Sequence, residues 1–360
     1  MKVIIAPDKF KGSLTSFEAC SAIASGVKTV HPDAEVLEFP MADGGDGFAA
    51  VMKHYLHTTT VTCPTQDPLG RPQVATFELK DEFAIIEMAS ASGLVLLKES
   101  ERDPLRTSTF GTGLMIQAAL NAGAKKIILG LGGSATNDAG TGILAALGFR
   151  FLNKNGEPIK ACGGNLIHMH AIVPPAELPD VKFDIACDVQ NVLYGKEGAA
   201  YVYAPQKGAT PQDVVSLDDG LRHFSRLLKR DVAAIPGTGA AGGIAAGLMG
   251  FFDVRLKKGF QLVMDSSAMI GGMEHAQLVI TGEGKIDDQT AFGKVVSEIA
   301  LLSLQHHIPA IAFCGATDIV DSRPLHLKAV RAITPAGMAF EEAVVRAKEL
   351  LRASVIDFLT

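Results

Sequence analysis

Short apolar runs alternate along this chain with stretches whose hydrophobic residues recur every three or four positions, the pattern of strands followed by helices. Near the start, residues 3–6 predict a buried strand, 16–29 a helix capped by Thr15 or Ser16, 35–39 a second strand and 47–55 a second helix. Near the end, residues 278–281, 310–314 and 329–333 predict strands, with helices over 294–305 and 340–358. Strands joined by crossover helices at both ends imply one doubly wound sheet assembled from the two termini.

The middle reads differently. Residues 73–78 and 84–88 predict a hairpin-like pair, followed by a helix over 111–122, a buried strand over 126–131 and a helix over 137–147. A further strand is expected at 183–186 and a helix at 211–228, with Pro211 in the permitted first turn. The chain is therefore expected to be α/β with two domains: residues 1–64 with 275–360, and an inserted α/β domain over 65–274.

Composition narrows the function classes. A length of 360 residues is ample for two cores. The formal net charge of -6, with no basic run, argues against nucleic-acid binding, so an anionic substrate would need positive charge concentrated locally. None of the five cysteines forms a CxxC pair, which disfavours zinc and suggests free thiols in a reducing compartment. The first residues run straight into a strand, and the longest apolar-plus-glycine stretch, 244–252, is far below the about 20 residues that span a bilayer. The expectation is a cytoplasmic protein without a membrane partner.

Five loops carry candidate chemistry. Asp8, Lys9, Lys11 and Ser13 lie between the first strand and its helix, where an anion site and a solvated turn are both open readings. Asp43 and Asp46 sit among three glycines after the second strand, suited to Mg²⁺ or to an ordinary capped turn. Gly132, Gly133, Ser134, Thr136 and Asn137 follow a buried strand and open a helix; small residues there leave backbone N–H groups free to wrap a phosphate, the alternative being a purely structural turn. Residues 237–242 spell GxGxxG, including Gly239 and Gly242, but after a poor strand, so a dinucleotide fingerprint is discounted in favour of helix packing or nucleotide approach. Glu283 and Asp287, in a loop running on to Asp288 and Gln289, are placed for metal or phosphate, with a solvated charged turn as the competing reading. Asp188 ends a buried strand, a costly site for a carboxylate unless it is paired or used, and Lys207 is a phosphate contact or an exposed side chain. Neither a Walker A sequence nor the protein-kinase motifs occur.

In order, the stretches 6–15, 42–47, 67–70, 87–94, 107–113, 132–142, 186–189, 205–209, 236–243 and 281–294 resemble the bacterial glycerate kinases of the first type, over nearly the whole chain. Lys9 stands where that family often has serine, and Asp46 where it often has glutamate. The resemblance implies a Rossmann-like domain from both termini, with an inserted α/β domain. It also implies phosphorylation of D-glycerate by ATP with Mg²⁺, and 2-phosphoglycerate as the associated product. On that reading the active site lies between the domains. Asp188 and Lys11 are the catalytic candidates, Asp188 for the hydroxyl proton and Lys11 near the substrate carboxylate. Asp8, Lys9, Ser13 and Arg71 would bind glycerate; the loop 132–137 with Lys207, Gly239 and Gly242 would bind ATP; Asp43, Asp46, Glu283 and Asp287 would hold Mg²⁺. The rivals are a nucleotide-dependent oxidoreductase and a non-catalytic protein that binds a small anion.

Overall fold

The computed structural model describes residues 1–287, 294–319 and 321–360, so Asp288 and Gln289 of the last acid loop lie outside the described residues. Its strands are β1 (Lys2–Ile5), β2 (Glu35–Glu38), β3 (Thr59–Gln66), β4 (Pro72–Lys80), β5 (Phe83–Glu87), β6 (Lys126–Gly130), β7 (Arg150–Leu152), β8 (Ala171–Val173), β9 (Lys182–Ala186), β10 (Asp253–Lys257), β11 (Leu278–Ile286), β12 (Ala310–Thr317) and β13 (Ala329–Ala332). Its helices are α1 (Ser16–Val30), α2 (Phe48–Leu56), α3 (Ala89–Ser92), α4 (Phe110–Asn121), α5 (Thr141–Ala146), α6 (Ala199–Tyr203), α7 (Pro211–Ser225), α8 (Ile244–Met249), α9 (Gly259–Ser266), α10 (Met269–Gly272), α11 (Val295–Gln305) and α12 (Phe340–Leu359).

Two compact units result, one from Met1–Asp43 with Phe260–Thr360 and the other from Gly44–Gly259. In the terminal unit a parallel sheet runs β13-β12-β11-β1-β2. The chain leaves β1 for β2 on one side and returns as β11 on the other, which makes the β1–β11 pair a topological switch point. Helix α1 begins with a capping box, in which Thr15 and Glu18 satisfy each other's backbone N–H groups, an arrangement of about 1 kcal/mol per cap. It packs on α12 through Gly26, where a Cβ would come within 2.8 Å of Val355. Val3, Ile5, Ile23, Ile280 and Phe313 form the core beneath.

The other unit has a six-stranded sheet ordered β10-β9-β6-β5-β4-β3. Strands β5, β6, β9 and β10 are parallel, while β4 runs antiparallel to both its neighbours. Short strands β7 and β8 form a separate pair.

Several elements differ from the sequence expectation for physical reasons. Strands β3 and β10 lie at the two edges of their sheet, where one neighbour suffices. Pro64 is tolerated within β3, and that strand buries only Cys63 and Thr65, so its hydrophobic signal is weak. Strand β11 continues through Glu283 to Ile286 because Gly282 lets it approach β12 closely; a Cβ there would lie 2.3 Å from the Phe313 carbonyl oxygen. Helix α5 starts at Thr141, not 137, after Gly140 turns the chain at φ 71°.

The unit boundaries fall at 43/44 and 259/260, against the expected 64 and 275. Strand β3 joins the six-stranded sheet, and α2 is tied to β5 by the Ala49 N–H, which donates to Glu87 Oε1 at 2.7 Å. At the other boundary α10 belongs to the terminal unit, where Gly272 abuts the Phe39 ring.

Candidate active site

In the terminal unit the site begins where β1 ends. The Asp8 N–H donates to the Gly282 carbonyl at 2.9 Å, which carries the β1–β11 alignment past the strand and sets Asp8 beside the acid-bearing end of β11. Asp8 is only 6% exposed. Its Oδ1 accepts the Lys9 N–H at 2.7 Å, and the Lys9 ammonium stands 3.7 Å from that oxygen and 3.3 Å from Asp43 Oδ1. Burial pushes the Asp8 carboxyl from its ordinary 3.8 up to about 7; Lys9 opposes the rise, and the negative charges of Asp43 and Glu283 add to it.

Asp8, Lys9, Lys11, Asp43, Glu283 and Lys294, with Gly284, Lys285 and Phe340, line a cavity of about 500 Å³. Four lysines and three carboxylates line it, so positive charge is concentrated there although the protein as a whole is acidic. Lys294 lies 3.8 Å from Glu283 and 3.9 Å from Asp287, while Lys285 lies 2.9 Å from Asp318 and 3.7 Å from Asp287. Lysines can take a carboxylate, and the acids can take hydroxyl protons. Ser13 is held in the turn itself, its hydroxyl donating to the Phe10 carbonyl at 3.0 Å.

In the other unit the loop after β6 forms a cradle. Loop 44–47 lies close over it: a Cβ on Gly132 would meet Gly45 Cα at 2.4 Å, and one on Gly133 would meet Asp46 Oδ1 at 3.3 Å. The cradle is pinned from behind. The Ala135 N–H donates to Ser92 O at 2.9 Å, and Thr107 Oγ1 donates to Ala135 O at 2.8 Å. Asp138, fully buried, accepts the N–H and hydroxyl of Thr109, each at 2.8 Å, and the N–H groups of Gly140 and Gly142, each at 3.2 Å. Burial raises its pKa, and these donors oppose the rise. Among the described residues, Thr136 Oγ1 and both polar atoms of the Asn137 amide are buried without a hydrogen-bond partner. Such atoms call for a ligand oxygen or a water.

Lys207 is 2% exposed and turned inward, donating to Ser134 Oγ at 2.8 Å and Thr136 O at 2.6 Å. Burial holds its pKa down to about 7, and the Asp138 charge opposes the fall. The GxGxxG segment has no strand before it and packs under the cradle, the Ala139 N–H donating to Gly242 O at 2.9 Å. Gly242 has φ 75°, and a Cβ there would lie 2.2 Å from Thr136 O; a Cβ on Gly239 would lie 2.2 Å from Val192 O. Both glycines serve close backbone packing. Gly242→Ala should therefore cost on the order of 3 kcal/mol or more, read as a lowered denaturant midpoint, because strain and clash coincide. An unchanged midpoint would contradict the packing role.

Arg71 spends its guanidinium on Asp67 and Glu101, with NH1 2.7 Å from Glu101. Asp188 stands at the carboxyl end of β9, and its Oδ1 accepts the Gly259 N–H at 3.1 Å. The four acids read as one metal set are divided: Asp43, Glu283 and Asp287 lie in the terminal unit and Asp46 in the other. Phe340 gave no sequence signal beyond standing at a helix start; Lys294, Thr109 and Asp138 lie in stretches that carry the resemblance, but nothing there singled them out.

The family model described as the glycerate kinase family matches residues 3–359. A glycerate kinase of Halalkalibacterium halodurans is 43% identical over 87% of this chain and 85% of its own. A glycerate 2-kinase of Escherichia coli K12 is 40% identical over 88% of this chain and 85% of its own. A crystal structure assigned as glycerate kinase 2 from Salmonella typhimurium LT2 superposes with a TM-score of 0.85 at 38% identity, covering 100% of this chain and 97% of that one.

Proposed function

The chain belongs to the glycerate kinase family, and on that premise we propose that it transfers the terminal phosphoryl group of ATP to D-glycerate and yields 2-phosphoglycerate. The observation that carries the reading is the cradle, a loop of small residues in which Thr136 Oγ1 and the Asn137 amide lack partners. We place the ATP phosphates there and glycerate in the lysine-and-acid cavity, with Lys11 at its carboxylate and Asp8 and Lys9 near its hydroxyls.

The balance is simple. The glycerate hydroxyl oxygen attacks the γ-phosphorus, the bond to the bridging oxygen breaks, ADP leaves, and the hydroxyl proton passes to a carboxylate, for which Asp188 is the candidate. The protein's share is positioning and charge neutralisation.

Mg²⁺ prefers hard oxygen donors and binds through one or two carboxylates together with phosphate oxygens and water, and the acids of the two loops supply such donors. Asp43, Asp46, Glu283 and Asp287 are the candidates to hold it, and when bound it would neutralise phosphate charge.

Glycerate-dependent release of ADP in a coupled assay tests the reaction. Lys11→Met tests the substrate placement. It should raise KM for glycerate by about tenfold to a hundredfold, the scale of a charged hydrogen bond, and leave KM for ATP nearly unchanged. The opposite split would move Lys11 to the nucleotide.

A further inference from the structure

Lys207 ends the short turn Pro205–Lys207, which is locked in place: Gly208 follows at φ 97°, and a Cβ on it would lie 2.2 Å from the Arg102 carbonyl oxygen. From this fixed base the side chain reaches 73 residues back in sequence to Ser134 and 71 back to Thr136. One ammonium thus bridges two points of the cradle, a side-chain hydroxyl and a backbone carbonyl two residues apart. Ser92 and Thr107 hold the intervening Ala135 through its N–H and its carbonyl. A loop of small residues has little side-chain packing to fix its backbone, so its conformation depends on such bonds. Lys207 is 2% exposed, and both of its hydrogen bonds go to the loop's own groups, which is the pattern of a brace.

We propose that Lys207 is a positioning residue: its sealed ammonium sets the conformation of residues 134–136, and so the directions of the cradle's phosphate-binding groups, without touching the nucleotide. This rests on the reading of the cradle as the phosphate seat.

The readout that separates positioning from direct ligation is backbone amide hydrogen exchange of residues 132–140 in the nucleotide-free protein. Lys207→Met should speed that exchange by about tenfold or more and weaken Mg-ADP, measured by calorimetry, by about tenfold to a hundredfold, with the affinity for glycerate within about twofold of the parent. Weakened Mg-ADP with unchanged exchange would make Lys207 a direct ligand and overturn the proposal, and so would unchanged exchange and affinity together. Should Lys207→Met fail to fold, Ser134→Ala removes one of the two acceptors and keeps the lysine buried. It should speed the exchange to a smaller degree, and no change would overturn the proposal. Gly133→Val, at φ 72° and against Asp46 and Ala89, distorts the loop backbone and tests the underlying reading separately. If it leaves Mg-ADP affinity intact, the phosphate seat lies elsewhere and the assignment of Lys207 falls with it. If it abolishes binding while Lys207→Met does nothing, only the role of Lys207 falls.

Discussion

Asp8→Asn should raise the thermal midpoint of the folded protein at about pH 8 by several degrees and leave it almost unchanged at about pH 4. The Asp8 carboxyl moves from 3.8 to about 7 on folding, chiefly because it is buried. The folded state therefore favours the protonated acid. The stability this group lends is fully present below its ordinary pKa and is lost as pH rises through about 7. Above that point the protein carries a buried carboxylate only partly offset by Lys9, at a cost on the order of 4 kcal/mol for such a displacement. Asparagine keeps the shape and an oxygen to accept the Lys9 N–H, and it carries no charge. The same variant should lose glycerate turnover, because a strained acid in a lysine-lined cavity is kept for function at the expense of stability. An equal midpoint change at both pH values would contradict the burial argument. Gained stability with full activity would remove Asp8 from the substrate site.

Asp188→Asn should lower kcat by about a hundredfold to ten-thousandfold, the usual contribution of a general base, with both KM values little changed. Asparagine keeps an oxygen to accept the Gly259 N–H, so the end of β9 should hold its structure. Circular dichroism and the denaturant midpoint of the variant check that point. A folded variant with near-parental kcat would take the proton from Asp188 and leave Asp8 as the next carboxylate to examine.

Much of the fold was legible because the central strands bury continuous apolar runs. Strands β1, β6, β9 and β12 and helices α1 and α12 match their patterns closely, and their residues fill the two cores. Strands β3 and β10 were not legible, because β3 buries only Cys63 and Thr65 and β10 buries none of its residues fully. The boundary near residue 64 was misplaced for the same reason: without β3, the six-stranded sheet had no visible start.

Loop positions were legible from glycine content, whereas side-chain directions were not. Nothing in Pro205-Gln206-Lys207 says that the lysine turns inward, and nothing in Pro68-Leu69-Gly70-Arg71 says that the arginine folds back on Asp67. Asp43 and Asp46 are neighbours in sequence, yet the chain changes unit between them. The GxGxxG string shows the same limit from the other side. Gly239 and Gly242 pack closely against Val192 and Thr136, so the pattern reports close backbone approach there.

The most direct test of the account is to incubate the protein with D-glycerate, ATP and Mg²⁺ and to follow the phosphorylated product by phosphorus NMR. The expected result is one phosphate ester, 2-phosphoglycerate, formed in step with ADP. 3-Phosphoglycerate would contradict the assigned hydroxyl, and ADP release that ignores glycerate, or no release at all, would contradict the proposed reaction.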